Sequence, residues 1–258
     1  MTDRSILLSH DQNVAIIRLN RPDRLNALTT DLLSKLLSDL DQAITDGARA
    51  ILITGEGRAF CSGADLAGEG GIVADLGETL EAWYHPLMMR LAALDIPVIS
   101  AINGPAVGAG VALALAADIV MMARSAYLQL GFVNIGLVPD AGATWLIAKS
   151  AGRAKALEMT LLGERMSAHD AQVCGLVARV VDDEALFDEA LAIAQRLGEG
   201  PSVAIGLIRK QVAAALNLTQ AETLALEASN QSEAGRTADF REGVTAFREK
   251  RPPTFKGH

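Results

Sequence analysis

Residues 50–63 read AILITGEGRAFCSG, and residues 97–110 read PVISAINGPAVGAG. In each stretch a short apolar run, typical of a buried strand, leads into a glycine-rich bend and then into small residues. Gly63, Gly108 and Gly110 let a bound group approach the backbone closely, and the first N–H groups after such a bend lack internal partners. The two bends predict a pair of main-chain donors that point at one place, an arrangement that can hold a developing oxyanion.

Each bend by itself is also compatible with an ordinary tight turn between a strand and a helix. Two nucleotide-binding motifs are excluded by spacing. The chain contains no G-x-x-x-x-G-K-[ST] sequence, and Gly104, Gly108 and Gly110 do not have the spacing of the dinucleotide fingerprint.

The composition predicts one α/β core with an appendage, because half of the 258 residues are hydrophobic and few are aromatic. The formal net charge of −8 argues against nucleic acid or an anionic membrane as a partner. The first residues lack the features of a signal peptide, and the longest apolar run, residues 111–123, is too short to span a membrane. We therefore expect a soluble, cytoplasmic protein.

The cysteines and histidines give no sign of a metal site. Cys61 and Cys174 lie far apart without a C-x-x-C pair, so we expect buried free thiols rather than a disulfide or a zinc centre. The four histidines show no ligand spacing either.

Apolar periodicity alternates between strands and helices. Strands are predicted at residues 6–9, 14–19, 50–54, 98–102, 119–123 and about 178–181. Helices are predicted at residues 30–45, 76–94, 107–116, 141–151, 153–162, 202–216 and 219–230. Thr29 or Thr30 caps the first helix, and Arg251-Pro252-Pro253 ends a further one. The alternation predicts an α/β core with parallel strands over residues 1–198 and a helical region over residues 199–258.

Segments along nearly the whole chain are similar to the crotonase superfamily, the enoyl-CoA hydratases and isomerases. They are Asn20-Arg21-Pro22 and residues 24–28, 60–66, 102–110, 136–145 and 241–250. Residues 83–87 (WYHPL), 136–140 (GLVPD), 144–145 (TW) and 241–244 (REGV) resemble most the ring-1,2-epoxyphenylacetyl-CoA isomerases of aerobic phenylacetate breakdown.

The resemblance implies a repeated ββα superhelix with two sheets, and homotrimers or hexamers built through the C-terminal helices. It implies an acyl-CoA thioester as substrate, with coenzyme A carried by the substrate and no further cofactor. The two oxyanion donors would be the N–H groups of Ala64 and Ala109, with Gly108 beside them. Many relatives have glycine at the second donor, but alanine keeps the N–H if its backbone angles are allowed.

Hydratases of this superfamily activate water and deliver a proton with two glutamates. The first of these positions is Ala112 in this chain, and the second falls at or beside Phe132. Neither side chain exchanges protons, which argues against a hydratase of the usual two-carboxylate design.

Asp140 is the remaining candidate for a general base. By its position before a predicted helix it could simply be an N-cap, but the resemblance gives it a catalytic role. A helix N-terminus would lower its pKa, whereas Phe132 and Trp145 would raise it. One base is enough to convert a 3-enoyl thioester to the 2-enoyl form, as in fatty acid metabolism, or an epoxyphenylacetyl thioester to its oxepin.

The resemblance also implies contacts to the coenzyme A part of the substrate. Arg24 and Lys250 would bind its negatively charged groups. By themselves, such residues are more often solvated at the protein surface. Main-chain groups around the following residues would assist: Leu25, Ala27, Asp65 and Leu66.

Three alternatives stay open: residual enoyl-CoA hydratase activity, a non-catalytic thioester binder, and a hydrolase. In the last, Asp140 would be a nucleophile and His85 would activate water, as in the similar 4-chlorobenzoyl-CoA dehalogenases.

Overall fold

The computed structural model describes residues 5–66 and 75–258. The predicted core range of 1–198 thus includes two short segments outside the described residues. The strands are β1 (Ile6–Asp11), β2 (Val14–Leu19), β3 (Ala50–Gly55), β4 (Val98–Ile102), β5 (Ala106–Val107), β6 (Ile119–Ala123), β7 (Tyr127–Gln129), β8 (Arg165–Ser167) and β9 (Arg179–Val181).

These strands form two sheets. The larger has the order β1-β2-β3-β4-β6-β9, and the smaller has the order β5-β7-β8. The first two strands of the larger sheet form an antiparallel hairpin, and all its other neighbours pair in parallel. The α/β class and the parallel pairing predicted from the sequence are therefore confirmed.

The helices are α1 (Thr30–Thr45), α2 (Leu76–Thr79), α3 (His85–Ala93), α4 (Ala109–Leu115), α5 (Ala143–Leu162), α6 (Ala168–Val173), α7 (Leu186–Gly198), α8 (Ser202–Ala215), α9 (Gln220–Ala234) and α10 (Ala238–Glu249). A π-helical turn, Leu80–Tyr84, joins α2 to α3. Helix α1 begins as predicted, because the Thr29 side chain accepts the Leu32 N–H.

Burial explains the apolar sequences of the central strands and of helix α1. Every residue of β3 and β4 is buried, which matches their continuous apolar sequence and the cover that parallel sheets receive on both faces. Helix α1 packs a leucine stripe into the same core, with these members: Leu32, Leu33, Leu36 and Leu40.

Several expectations are corrected. Strands β5, β7 and β8 have only two or three residues, too short for a recognisable alternation, and Val107 belongs to β5 instead of a helix. The helix predicted from residue 141 begins at Ala143, and the break predicted after residue 151 is present as non-helical Gly152 within α5. Cys174 is half-buried instead of buried.

Beyond β9, the described chain contains helices only. A domain boundary after residue 198 stays a prediction. None of the helices in the described ranges combines the length and hydrophobicity needed to cross a bilayer.

We predict that Gly110→Ala destabilises the protein by about 1–3 kcal/mol, the usual cost of overpacking. A side-chain carbon at Gly110 would overlap the Cys61 carbonyl oxygen. Gly131→Ala is the matched control, because its nearest neighbouring atom would be 3.9 Å away. Urea unfolding of the three proteins measures the difference, and equal stabilities of the two variants would contradict the packing argument.

Candidate active site

Ala64 is bridged to Leu28, and its own N–H group points away from Leu28. Leu28 donates its N–H to the Gly63 carbonyl oxygen at 2.8 Å and accepts from the Asp65 N–H at 3.0 Å. In such a parallel bridge, the residue between the two bonds directs its own N–H to the other side. The Ala64 N–H donates to no described residue.

The Ala109 N–H belongs to the neighbouring bend. Gly108 precedes it with φ of +55° and ψ of −128°, a conformation that favours glycine. Ala109 itself has no positive φ, so its methyl group is accommodated as the sequence analysis required. Because Ala109 is the first residue of α4, its N–H has no partner within the helix.

The two bends pack backbone against backbone. A side-chain carbon built on Gly63, where φ is +85°, would lie 2.8 Å from the Val107 carbonyl oxygen and 3.4 Å from the Ala109 nitrogen. The structure thus brings the two predicted donors onto adjacent backbone segments, with room for glycine only between them.

A cavity of about 510 Å³ lies between the start of α3 and the start of α5. Its apolar wall is formed by these side chains: Leu76, Leu80, Leu137, Val138 and Trp145. Asp140 and His85 are its charged or titratable members, and Asp140 is the only carboxylate among the described residues that line it.

Asp140 is not the N-cap of α5, so the simpler structural interpretation is wrong. The N-cap is Gly142, and Ala141 and Gly142 have positive φ values of 49° and 84°. This bend separates Asp140 from the helix. Its Oδ1 atom is buried and accepts no hydrogen bond from any described residue. A buried oxygen without a partner, followed by a strained alanine, is typical of a functional site.

Burial raises the pKa of the Asp140 carboxyl from 3.8 to about 6, and the positive charge of nearby His85 opposes part of this rise. Desolvation is the raising effect expected from the sequence, and the lowering cause is His85 instead of the expected helix N-terminus. The carboxyl group therefore exchanges protons near neutral pH, as a general base should.

The two positions that would carry hydratase glutamates are apolar and buried. Ala112 lies inside α4 with no exposed surface, and Phe132 is 8% exposed. The Phe132 Cζ atom is 3.7 Å from the place that a side-chain carbon on Gly108 would occupy. Phe132 therefore stands beside the bend of Ala109 and supplies no proton donor there.

The segment predicted to contact coenzyme A is held against the first bend by Arg21. The Arg21 Nη2 atom lies 2.8 Å from Asp65 Oδ2, and its Nη1 donates to the Ala27 carbonyl oxygen at 2.6 Å. Leu25 adopts a left-handed conformation and accepts the Ser62 N–H. Arg21 belongs to a segment that carries the family resemblance, but its contact with Asp65 was not predicted, because an arginine beside proline gives no sign of its partner.

Arg24 and Lys250, the two cations predicted to bind coenzyme A, are exposed. Arg24 ends a short 3₁₀ turn close to this segment, and its carbonyl accepts from Ser62 Oγ at 3.4 Å. Leu66 is also exposed. Lys250 caps the C-terminal end of α10, with its side chain in solvent and no hydrogen-bond partner among the described residues. Roles for these residues in substrate binding stay predictions. Within the described ranges, no three potential ligands are grouped as a metal site.

Comparisons with known proteins agree with this geometry. A family model described as enoyl-CoA hydratase/isomerase matches residues 9–258. The 1,2-epoxyphenylacetyl-CoA isomerase of Escherichia coli (strain K12) is 45% identical over 257 residues, covering 97% of this chain and 98% of that protein. A probable enoyl-CoA hydratase of Rhodobacter capsulatus is 42% identical, and the similarity covers 100% of this chain and 100% of that protein.

The fold is also similar to those of solved structures. An enoyl-CoA hydratase from Bacillus anthracis superposes with a TM-score of 0.94 at 32% identity, covering 99% of this chain and 100% of the other. The resemblance to the crotonase superfamily found in the sequence is thereby confirmed.

We predict that Asp140→Asn stabilises the protein at neutral pH. The folded-state pKa of about 6 lies above the ordinary 3.8, so wild-type stability is favoured below pH 4 and lost as the pH rises through 6. After allowance for partial solvent screening, the variant should gain about 2 kcal/mol at pH 7.5.

Urea unfolding at pH 7.5 and at pH 4, at equal protein concentration, measures this difference. The advantage of the variant should vanish at pH 4, and the same advantage at both pH values would show that proton binding is not its cause.

Proposed function

The chain belongs to the enoyl-CoA hydratase/isomerase family, and from this premise we propose that it is an acyl-CoA isomerase with Asp140 as its single base. In the proposed reaction, the Asp140 carboxylate removes a proton from C2 of a 3-enoyl thioester. The electron pair moves onto the thioester oxygen, which accepts hydrogen bonds from the Ala64 and Ala109 N–H groups. The same proton returns at C4, and the double bond ends between C2 and C3.

One observation supports this assignment above the others: Asp140 is the only carboxylate among the described residues lining the cavity, and its Oδ1 has no protein partner. Hydration would need a second group to handle a proton. Ala112 and Phe132, where the hydratase glutamates would be, cannot do so. The names of the similar proteins do not separate the two reactions, because an isomerase and a probable hydratase have nearly equal identities.

Within this class, the substrate we favour is 1,2-epoxyphenylacetyl-CoA, with its oxepin isomer as product, as in phenylacetate catabolism. A cavity with an apolar wall that includes Trp145 suits an aromatic acyl group. Loss of the C2 proton and its return to a ring carbon again need one base and no water. We assign coenzyme A binding to Arg24, Lys250 and the main chain near Leu25, Ala27, Asp65 and Leu66. Further substrate contacts are assigned to Gly108 and Phe132.

A second candidate is a hydrolase similar to the 4-chlorobenzoyl-CoA dehalogenases, which would act on the acyl group of a coenzyme A thioester. It is favoured by one observation, that His85 and Asp140 line the same cavity. The Asp140 carboxylate would then form an ester bond to a carbon of the acyl group and displace a leaving group, such as a halide, from that carbon; water activated by His85 would cleave the ester and restore the carboxylate. This mechanism requires a covalent aspartyl intermediate, which rapid quenching and mass analysis would detect.

We predict that Asp140→Asn lowers kcat for a 3-enoyl-CoA by about 10²–10⁴-fold, the usual contribution of a general base. Wild-type kcat/KM should rise with pH around a midpoint near 6, because only the carboxylate accepts a proton. The measurement follows 3-hexenoyl-CoA and its product by chromatography, with product of unchanged mass.

Asp188→Asn, an exposed change on α7, serves as the matched control and should keep full activity. Near-normal turnover by folded Asp140→Asn would reject the assignment. A product heavier by one water would indicate a hydratase. Wild-type protein that is inactive on a panel of enoyl, aryl and epoxy thioesters but binds coenzyme A tightly would indicate the non-catalytic binder.

We further propose a homotrimer or hexamer built through the C-terminal helices, because α8 and α9 leave Ile208, Val212 and Leu224 more than half exposed. Sedimentation equilibrium should give three or six times the chain mass of 27.1 kDa. Replacing Ile208 and Val212 by aspartate should shift the distribution to lower mass. A monomeric wild-type protein would overturn this proposal.

A further inference from the structure

Helix α8 is bonded to both of the helices whose first residues line the cavity. His85 is the first residue of α3, Trp145 lies in the first turn of α5, and both line the cavity. None of the described residues that line the cavity belongs to α8 itself, and the reaction proposed above gives this helix no role. Any effect of α8 on the cavity therefore passes through α3 and α5.

Arg209, in the middle of α8, holds the C-terminal end of α3. Its Nη2 atom donates to the Leu91 carbonyl oxygen at 2.9 Å, and its Nη1 atom donates to the Leu94 carbonyl oxygen. Its Nε atom lies 2.8 Å from Asp118 Oδ2, which also accepts the Val98 N–H at the start of β4. The last carbonyl groups of a helix lack partners within the helix, so a guanidinium group that bonds them fixes the helix end. The Arg209 side chain is only 8% exposed, and water competes little for these bonds.

The backbone of α8 also packs directly against the residue that follows the cap of α3. A side-chain carbon on Gly206 would lie 2.5 Å from the Asp95 carbonyl oxygen, so only glycine fits there. Lys210 forms an ion pair with the Asp95 carboxylate. Because the nine residues of α3 span about 13 Å as one rigid rod, its attachment at this end sets the direction of its other end, where His85 lines the cavity.

The C-terminal end of α8 is bonded to α5 by Lys149. The Lys149 Nζ atom donates to the Leu216 carbonyl oxygen at 2.7 Å and to Asn217 Oδ1 at 2.8 Å. Lys149 follows Trp145 by four residues, so the two side chains lie on one face of α5, one turn apart. The break at Gly152 comes after both of them. The bond from Lys149 therefore acts on the segment of α5 that carries Trp145.

We propose that Lys149 and Arg209 are positioning residues, which through α8 hold α3 and α5 at the spacing that fits a ring-sized acyl group. An acyl group that reaches Trp145 would lose affinity when this spacing relaxes, whereas an acyl group too small to reach that wall would not. The inference rests on the proposed function only in taking the acyl group to occupy the cavity of Asp140. It requires no proton transfer.

The test compares two ligands that need no turnover. Phenylacetyl-CoA and acetyl-CoA are titrated calorimetrically at one protein concentration. Wild-type protein should bind phenylacetyl-CoA more tightly, because its ring buries apolar surface against the cavity wall. Lys149→Met keeps an apolar stem but donates no hydrogen bond. In this variant the ratio of the two affinities should fall by roughly 2- to 10-fold, within the free energy of the lost bonds, while the affinity for acetyl-CoA stays the same.

A conservative variant and a matched control accompany this measurement. Lys149→Arg should restore the wild-type ratio, because a guanidinium group can donate to the same carbonyl oxygen. Lys155→Met should also keep the wild-type ratio. Lys155 lies beyond Gly152 on the same helix, and its ion pair with Glu158 stays within that helix.

Arg209→Lys tests the attachment at α3. Lysine keeps the positive charge beside Asp118 but lacks the planar fork that holds two carbonyl groups of α3, so the same affinity ratio should fall. Thermal unfolding shows whether this variant folds. Where it does not, the two Lys149 variants decide the question by themselves.

Four results would overturn the proposal. They are a wild-type protein without preference for phenylacetyl-CoA, an unchanged ratio in Lys149→Met or in folded Arg209→Lys, a ratio that Lys149→Arg fails to restore, and an equal fall of both affinities in Lys149→Met. The last result is what a mere loss of folded protein would give.

These outcomes are separate from those of the isomerase assay. Loss of turnover in Asp140→Asn combined with an affinity ratio that does not respond to Lys149 would uphold the proposed function and reject the positioning role. A ratio that depends on Lys149 in a protein without isomerase activity would do the reverse.

Discussion

The close packing of two glycine bends is the constraint on which the site depends. Gly63 and Gly108 have positive φ values, and a side-chain carbon on Gly63 would press on the Val107 carbonyl oxygen. Because backbone meets backbone there, the positions of the Ala64 and Ala109 N–H groups are fixed by the sheet and by α4 instead of by mobile side chains. The proposed oxyanion site would therefore need little reorganisation when charge develops.

Asp140, the proposed base, is positioned in a different way. Asp140 is detached from α5 by the positive φ values of Ala141 and Gly142, so its carboxylate gains no hydrogen bond from the helix N-terminus. Burial without a partner destabilises the charged form and raises the pKa toward neutrality. The same feature that weakens the folded state above pH 6 thus gives the carboxyl group the proton affinity that a base requires.

The sequence predicts the parts of the molecule whose signal is local or periodic. Strands β2, β4 and β6 and helix α1 lie at their predicted bounds, because their apolar residues follow a clear period and Thr29 marks a cap. The resemblance implied a second sheet, but its strands were not located because they are too short to show alternation. The ion pair of Arg21 with Asp65 joins residues 44 positions apart. The π-helical turn Leu80–Tyr84 has no sequence pattern that predicts it. Such features depend on tertiary packing, which one sequence does not reveal.

The apolar side chains of Ala112 and Phe132 and the raised pKa of Asp140 both favour the same kind of reaction. Ala112 and Phe132 are buried and carry no proton at the positions where hydration would use glutamates, and Phe132 packs beside the bend of Ala109. Water is a reactant in hydration, whereas an isomerase gains from excluding it, because a dry wall strengthens the oxyanion contacts and holds the shuttled proton on one carboxyl group. In the proposed isomerase, the apolar side chains near the bend of Ala109 and the single carboxylate among the described residues that line the cavity would together favour proton transfer over hydration.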